Sequence, residues 1–309
     1  MLTKPSWKKL GRIYCPIETK THPKLISHAS NPLAIQVDKN IYRIFYSGRD
    51  NRNRSSVGAI DFDLQNMKII KTHIDPFFEY GPCGSFYSDG VSIGNCCELN
   101  NKRSIYFMGW QTKKDKSFKG NIGRLTLEPD NTLELDGHLP LIGIDHEDPF
   151  SLSYPCVMPR VDGGLNMWYG STISRDAGNG EMLHVIKHAS SIDGKKWTKT
   201  GATFPYEIGK AQAFSRPTVI VDECGFHQMW FSYRNGAGMS YRIGYAWSTN
   251  SDDWNIDLDN AGIDVSSEGW DSEMIEYPFV FKHQNEYFML YNGNGFGRSG
   301  FGLAQLVRV

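Results

Sequence analysis

The sequence predicts an all-β fold, a five-bladed β-propeller of four-stranded antiparallel blades, with residues 1–309 forming a single domain. Three observations predict it. Two strand-like phrases recur five times in tandem, about sixty residues apart, and such a period is the signature of a repeat architecture. Each phrase alternates with period two and is bounded by Gly, Asn and Asp, which means strands rather than helices. Long amphipathic helical windows are absent.

The first phrase is a small or polar residue, usually a Pro, and then a short apolar strand. It appears as Asn31-Pro32-Leu33-Ala34-Ile35, Asp89-Gly90-Val91-Ser92-Ile93, Tyr154-Pro155-Cys156-Val157-Met158, Arg216-Pro217-Thr218-Val219-Ile220 and Tyr277-Pro278-Phe279-Val280-Phe281. Its second position falls at 32, 90, 155, 217 and 278, in steps of 58, 65, 62 and 61 residues. Inner strands are therefore expected to begin near 31, 89, 154, 216 and 277.

The second phrase mixes aromatic and apolar residues. It reads Tyr42 to Ser47, Ser104 to Trp110, Asn166 to Gly170, Gln228 to Ser232 and Tyr287 to Tyr291. A third strand follows each time, at Val57–Ile60, Gly120–Gly123, Val185–Ala189, Arg242–Ala246 and Gly300–Ala304. Two of these run into a turn that ends in Trp, at Ser191 to Trp197 and Ser248 to Trp254. A two-sheet sandwich is the competing architecture. Five phrases in register favour blades around an axis, an arrangement that protects strand edges.

Composition agrees with many strands and tight turns: 40% of residues are hydrophobic, 13% aromatic, and 31 are Gly. A formal net charge of -1 offers nothing to recruit nucleic acid or an anionic membrane. No window approaches the ~18 apolar residues of a spanning helix. The stretch from Met1 to Cys15 carries four basic residues and no apolar h-region, so a cytoplasmic location is expected. The six Cys are expected to be plain thiols, and with no C-x-x-C pair a structural zinc is not expected. His146-Glu147-Asp148 reads as a loop, because three consecutive residues do not readily face one ion. No phosphate-cradling glycine motif or nucleophile elbow is present, so neither a metal nor a cofactor is expected.

In a ring of blades the innermost strands line the axis, and residues preceding each Pro collect at one end. That gives a ring of Asn31, Asp89, Tyr154, Arg216 and Tyr277, backed by Ser30, Ser88, Ser153, Ser215 and Glu276. Asp89 and Glu276 are candidate catalytic carboxylates, one to protonate a leaving oxygen and the other to activate water or attack an anomeric carbon. Asp89 also reads as a plain Asp-Gly turn residue, and Glu276 as a solvated acid. Arg216 can hold a charged sugar group or tune a carboxylate. Tyr154, Tyr277, Trp110 and Trp270 can stack on sugar faces. His28, Asn31, Arg49, Ser88, Glu181, Arg234 and Asp271 complete the candidate binding set. Surface ion pairs are the alternative for the two arginines, a plain loop acid for Glu181, and a structural role for His28.

Ser88-Asp89-Gly90-Val91, Tyr106 to Trp110, Tyr154 to Tyr169, Arg216 to Arg234 and Gly269 to Ala304 resemble the five-bladed propeller superfamily of glycoside hydrolase families 43, 32, 62 and 68, with the family-130 mannoside phosphorylases as relatives. The resemblance covers essentially the whole chain. More narrowly, the sequence looks like a bacterial group labelled family-32-like or "glycosylase" and associated with surface-polysaccharide genes. The resemblance implies carbohydrate chemistry in an axial pocket on a sugar, oligosaccharide or nucleotide sugar. It also implies three acids around the axis, yet the blade-one position holds Asn31, and the family-32 Trp-Met-Asn-Asp-Pro and Arg-Asp-Pro signatures are absent. A glycoside hydrolase-like enzyme is the leading expectation. A carbohydrate-binding propeller without catalysis, and a transferring or phosphorolytic enzyme, are the alternatives. Sequence leaves the oligomeric state open.

Overall fold

The computed structural model describes residues 4–19, 22–114, 117–161 and 163–307, and it is nearly all strand. The chain opens with β1 (Trp7–Tyr14). A first antiparallel unit holds β2 (Ser27–Gln36), β3 (Ile41–Arg49), β4 (Ser55–Asp63) and β5 (Lys68–Thr72). A second holds β6 (Gly90–Leu99), β7 (Lys102–Thr112), β8 (Phe118–Leu127) and β9 (Leu133–Leu135). The third is β10 (Ser151–Pro159), β11 (Leu165–Ser174), β12 (Leu183–Ser191) and β13 (Thr198–Thr203). The fourth is β14 (Ser215–Val221), β15 (His227–Tyr233), β16 (Arg242–Ser248) and β17 (Asn255–Ile256). The last is β18 (Glu276–His283), β19 (Glu286–Asn292) and β20 (Phe301–Leu306). Its outer strand is β1, which pairs with β20 from the opposite end of the chain and sets Trp7 opposite Leu306. The first two units share one eight-stranded sheet through a single parallel bridge between Ser55 and Gly90. Among the described residues no helix is long and apolar enough to cross a membrane.

The aromatic-apolar middle strands are explained by burial on both faces. Ile44 faces a core shared by the last and first units, and Phe45 faces one shared by the first and second. Phe107 and Tyr106 divide in the same way, as do Met167 and Trp168, and Met229 and Trp230. Five apolar clusters result, each between successive units, and the first strand of each unit packs against the first strand of the next. A strand buried on both sides needs apolar residues at every position, so its sequence lacks the polar half of a one-sided strand. The two Trp-ending turns are built alike. Asp193 Oδ1 accepts the backbone N–H groups of Lys195 and Lys196, and Asn250 Oδ1 accepts those of Asp252 and Asp253. The indoles of Trp197 and Trp254 then close the turns onto the Gly194 and Ser251 carbonyls.

One sequence expectation is corrected here. Four inner strands carry a bulge, with the ladder skipping from Ser30 to Leu33, Ser153 to Cys156, Ser215 to Thr218 and Glu276 to Phe279. In unit two the skip runs from Ile93 to Cys96. The counterpart of Asn31, Tyr154, Arg216 and Tyr277 is therefore Gly94, not Asp89. A Cβ at Gly94 would run into the Pro155 carbonyl, so the close approach of two inner strands requires glycine there. The sequence phrase hid this because unit two has Asn95 where the others have Pro.

Candidate functional site

At the four Pro-containing bulges the residue before Pro lies in the left-handed region: Asn31 at φ 57°, Tyr154 at 36°, Arg216 at 45° and Tyr277 at 53°. Residues before Pro favour extended backbone, and for bulky Tyr and Arg a positive φ is an outlier. The strain recurs at equivalent places around one end of the units, and strained backbone concentrates where function does. Local bonds hold it. Asn31 N–H donates to Asn292 Oδ1 at 2.9 Å, and Tyr277 N–H to Ser232 Oγ at 2.7 Å.

Ser30, Ser153 and Ser215 precede three of these bulges, and Glu276 precedes the fourth. Its side chain is wholly buried, and neither carboxylate oxygen has a hydrogen-bond partner within the protein. Burial pushes its carboxyl well above the usual value of 4.5, only partly offset by the positive fields of Arg234 and Arg49. Tyr154 and Tyr277 stand beside it with ring centroids 5.2 Å apart and hydroxyls 3.4 Å apart. Burial and the field of Glu276 raise both phenols. Arg234 pairs with the buried Glu181 at 3.0 Å and lies 4.7 Å from the centre of the Tyr241 ring. His28, also at positive φ, is held near pKa 4 by burial and by Arg49 and Arg298. Its Nδ1 bonds Ser27 Oγ at 3.0 Å, and Ser27 sits opposite Arg49 in the ladder.

The structure thus brings together Glu276, Tyr154, Tyr277, Arg49, Arg234, Glu181, His28 and Asn31 of the residues expected from sequence. Two further expectations, for Arg216 and Asp271, are corrected. Arg216 is 2% exposed, and its guanidinium donates to the Tyr277 and Pro32 carbonyls at 2.7 Å each and to Gly94 O at 3.3 Å. It ties inner strands of three other units together, leaving those donors unavailable to a ligand. Asp271 is buried in an ion pair with Lys9 at 2.7 Å and accepts the Tyr291 hydroxyl, so it is internal to the last unit. Trp110 donates its indole N–H to Ser55 Oγ at 3.0 Å and meets Phe118 edge to face.

Asp89 and Ser88 lie with Trp110 at the junction of the first two units. Asp89 N–H donates to the Trp110 carbonyl, and its carboxylate accepts Thr112 N–H at 2.6 Å. Among the described residues no hydrogen bond, ion pair or ring contact joins this group to Glu276. In His146-Glu147-Asp148 the first two residues are exposed, whereas Asp148 is buried against Lys187 at 3.0 Å and Lys199 at 2.5 Å. All six cysteines are free.

Sequence reasoning missed four residues at this site. Tyr241 packs on Arg234, and Phe296 meets Tyr241 edge-on at 6.1 Å. Arg298 shares the β19–β20 loop with Phe296, whose carbonyl accepts a hydrogen bond from Ser30 Oγ. His184 bridges Ser153 and Thr172 at 2.7 Å each, and burial holds it neutral, near pKa 4. The run Gly293 to Gly297 carried the one available signal, since a Gly-rich hairpin permits the left-handed turn that brings Gly297 close to Ser30.

No family model matches the chain. Two Mycobacterium tuberculosis proteins, MT1551 of strain CDC 1551 / Oshkosh and Rv1502 of strain ATCC 25618 / H37Rv, both named only as uncharacterised, are each 39% identical over 303 residues, covering 97% of this chain and 99% of theirs. Among solved structures, a BT0996 RGII complex superposes with TM-score 0.74 at 14% identity, covering 98% of this chain and 91% of that one. A thermostable family-43 glycoside hydrolase gives 0.68 at 18%, covering 93% and 91%. A family-130 structure, described as belonging to mannoside phosphorylases that include hydrolases of β-1,2 mannosidic linkages in Candida mannan, gives 0.71 at 13%, covering 98% and 94%. The chain belongs to one family with the two mycobacterial proteins, and its fold is that of the propeller glycoside hydrolases.

Proposed function

We propose that the five strand units are blades of one closed propeller and that the chain is a carbohydrate-active enzyme, glycoside hydrolase-like, with Glu276 as its general acid. The observation that carries this is the state of Glu276. A carboxyl kept neutral near pH 7 can hand a proton to a leaving oxygen, a contribution of about 10²–10⁴-fold. Burial shifts Glu276 toward that state, and both of its oxygens lack a partner in the protein. Once the proton is given, the carboxylate left behind lies in the positive fields of Arg234 and Arg49, which favour it. The propeller supports such a site by converging loops from distant segments on one rigid end.

Asp89 is proposed as the second carboxylate, activating water or attacking the anomeric carbon. The substrate class includes oligosaccharides and nucleotide sugars, and a role in surface-polysaccharide metabolism in the cytoplasm belongs to the same proposal. Turnover of aryl glycosides and nucleotide sugars by Glu276→Gln and Asp89→Asn tests it. Glu276→Gln is expected to lose about 10²–10⁴-fold on substrates with poor leaving groups and much less on dinitrophenyl glycosides, which need no proton. Unchanged turnover in both variants overturns the assignment. Asn31, where the resemblance implies an acid, favours a second reading, a sugar-binding propeller without catalysis. Calorimetric binding with no turnover in the wild type would establish that reading instead.

A further inference from the structure

The surroundings of Glu276 hold more cationic than anionic groups. Arg49 ends β3, Arg234 follows β15, and Arg298 lies on the loop that leans onto Ser30. Arg234 has a carboxylate partner, Glu181. Among the described residues Arg49 and Arg298 form no ion pair. The acid next to Arg49 in sequence, Asp50, is taken by Arg54 at 2.8 Å. Arg49 lies opposite Ser27 in the ladder and the loop of Arg298 accepts the Ser30 hydroxyl, which brings both arginines near His28, on which both act. Among the described residues, Glu181 is the one acid in an ion pair with any of these three arginines. The whole chain carries a formal net charge of only -1, so this excess is local.

The unmet hydrogen-bonding capacity points the same way. Asn31 Nδ2 and Arg234 Nε are buried donors without a partner in the protein, which is uncommon enough to call for an acceptor. A planar guanidinium fork matches the two oxygens of a phosphate or carboxylate. Beside Arg298 stands Phe296, 40% exposed and at φ 59°, an outlier for an aromatic residue. Its ring braces Tyr241 edge-on and leaves an apolar face for a pyranose.

We propose that this mouth recognises an anionic group carried by a sugar, a phosphate or carboxylate held by Arg49 and Arg298, with the sugar ring against Phe296. The proposal rests on reading the surroundings of Glu276 as a sugar site, and it names the class of sugar.

Calorimetry on the full chain tests it, using a panel of hexose phosphates and hexuronates beside their neutral parent sugars and inorganic phosphate. The expected result is an anionic sugar bound at least tenfold tighter than its neutral parent, weakening as salt rises. Arg298→Gln and Arg49→Gln are each expected to lose tenfold or more. Arg298 is exposed, so its replacement leaves the core intact. The proposal is overturned if neutral parents bind as tightly as charged sugars, if no anion in the panel binds, or if both variants bind like wild type. Inorganic phosphate binding as tightly as a sugar phosphate, with the same arginine dependence, would make the occupant free phosphate and overturn the sugar-borne group. Glu276→Gln is expected to keep anion binding while losing turnover. Arginine-dependent binding alongside full turnover in Glu276→Gln would refute the general acid and leave this inference standing.

Discussion

Glu276→Gln is expected to stabilise the protein at neutral pH, by an amount that grows with pH. Glu276 has a folded pKa well above its unfolded value of 4.5, so within that window the native state binds more protons than the unfolded state. Stability then falls as pH rises above 4.5, by about 1.4 kcal/mol per pH unit. Glutamine does not titrate, is close in size, and leaves its amide as unpartnered as the protonated acid already is. Other carboxylates, such as Asp148 and Asp61, titrate identically in both proteins and cancel in the difference. The assay is urea unfolding of wild type and Glu276→Gln at pH 5, 6 and 7, read as the difference in unfolding free energy. The expected result is a gap that widens as pH rises from 5, by up to about 1.4 kcal/mol per pH unit. Parallel curves would mean that Glu276 is ionised in the folded protein, and the case for it as a proton donor at neutral pH would fail.

Three other outcomes test the architecture. Arg216→Met removes the donor to three buried carbonyls, each worth about 1–3 kcal/mol when left unpaired, so a loss of about 3–9 kcal/mol is expected in the same assay; a loss below about 1 kcal/mol would show that the guanidinium is not a strut. Gly94→Ala is expected to cost about 3 kcal/mol or to prevent folding, because its methyl meets the Pro155 backbone, whereas Gly163→Ala faces open space and pays only for its positive φ; equal effects would refute the register given to unit two. Asp148→Asn is expected to lose about 3 kcal/mol at pH 7, since it removes the ion-pair partner of Lys187 and one of the two carboxylates on Lys199, which keeps Asp145. Hydrogen bonds from Lys199, Ser171 and Lys187 outweigh burial and hold the Asp148 carboxyl below its usual value. Its contribution is therefore present above about pH 4 and lost as pH falls further, so the gap between the two proteins should close in acid.

The repeat and its strands were legible because they are local. The aromatic-apolar runs Tyr42–Ser47, Gln228–Ser232 and Tyr287–Tyr291 are read from neighbours a few residues away, and so are the two turns with their closing Trp. The residues preceding Pro were equally readable, and eight of the named site candidates are brought together: His28, Asn31, Arg49, Tyr154, Glu181, Arg234, Glu276 and Tyr277. The N-terminal segment gave no such signal. β1 finds its partner in β20, nearly the whole chain away, and an outer strand with one exposed face carries too weak an alternation to announce itself.

Sequence by itself determined the period, the strand type and the chemistry available at one end of the units. Tertiary structure decided how each group is used. The approach of the Pro155 backbone made Gly94, rather than Asp89, the member of the ring in unit two. Three carbonyls from other units turned Arg216 into a strut, and Lys9 made Asp271 internal. Complete burial pushed the Glu276 carboxyl well above its usual value. Charge state and hydrogen-bond commitment depend on which groups lie within a few ångströms, and in this fold those groups come from segments some sixty residues apart.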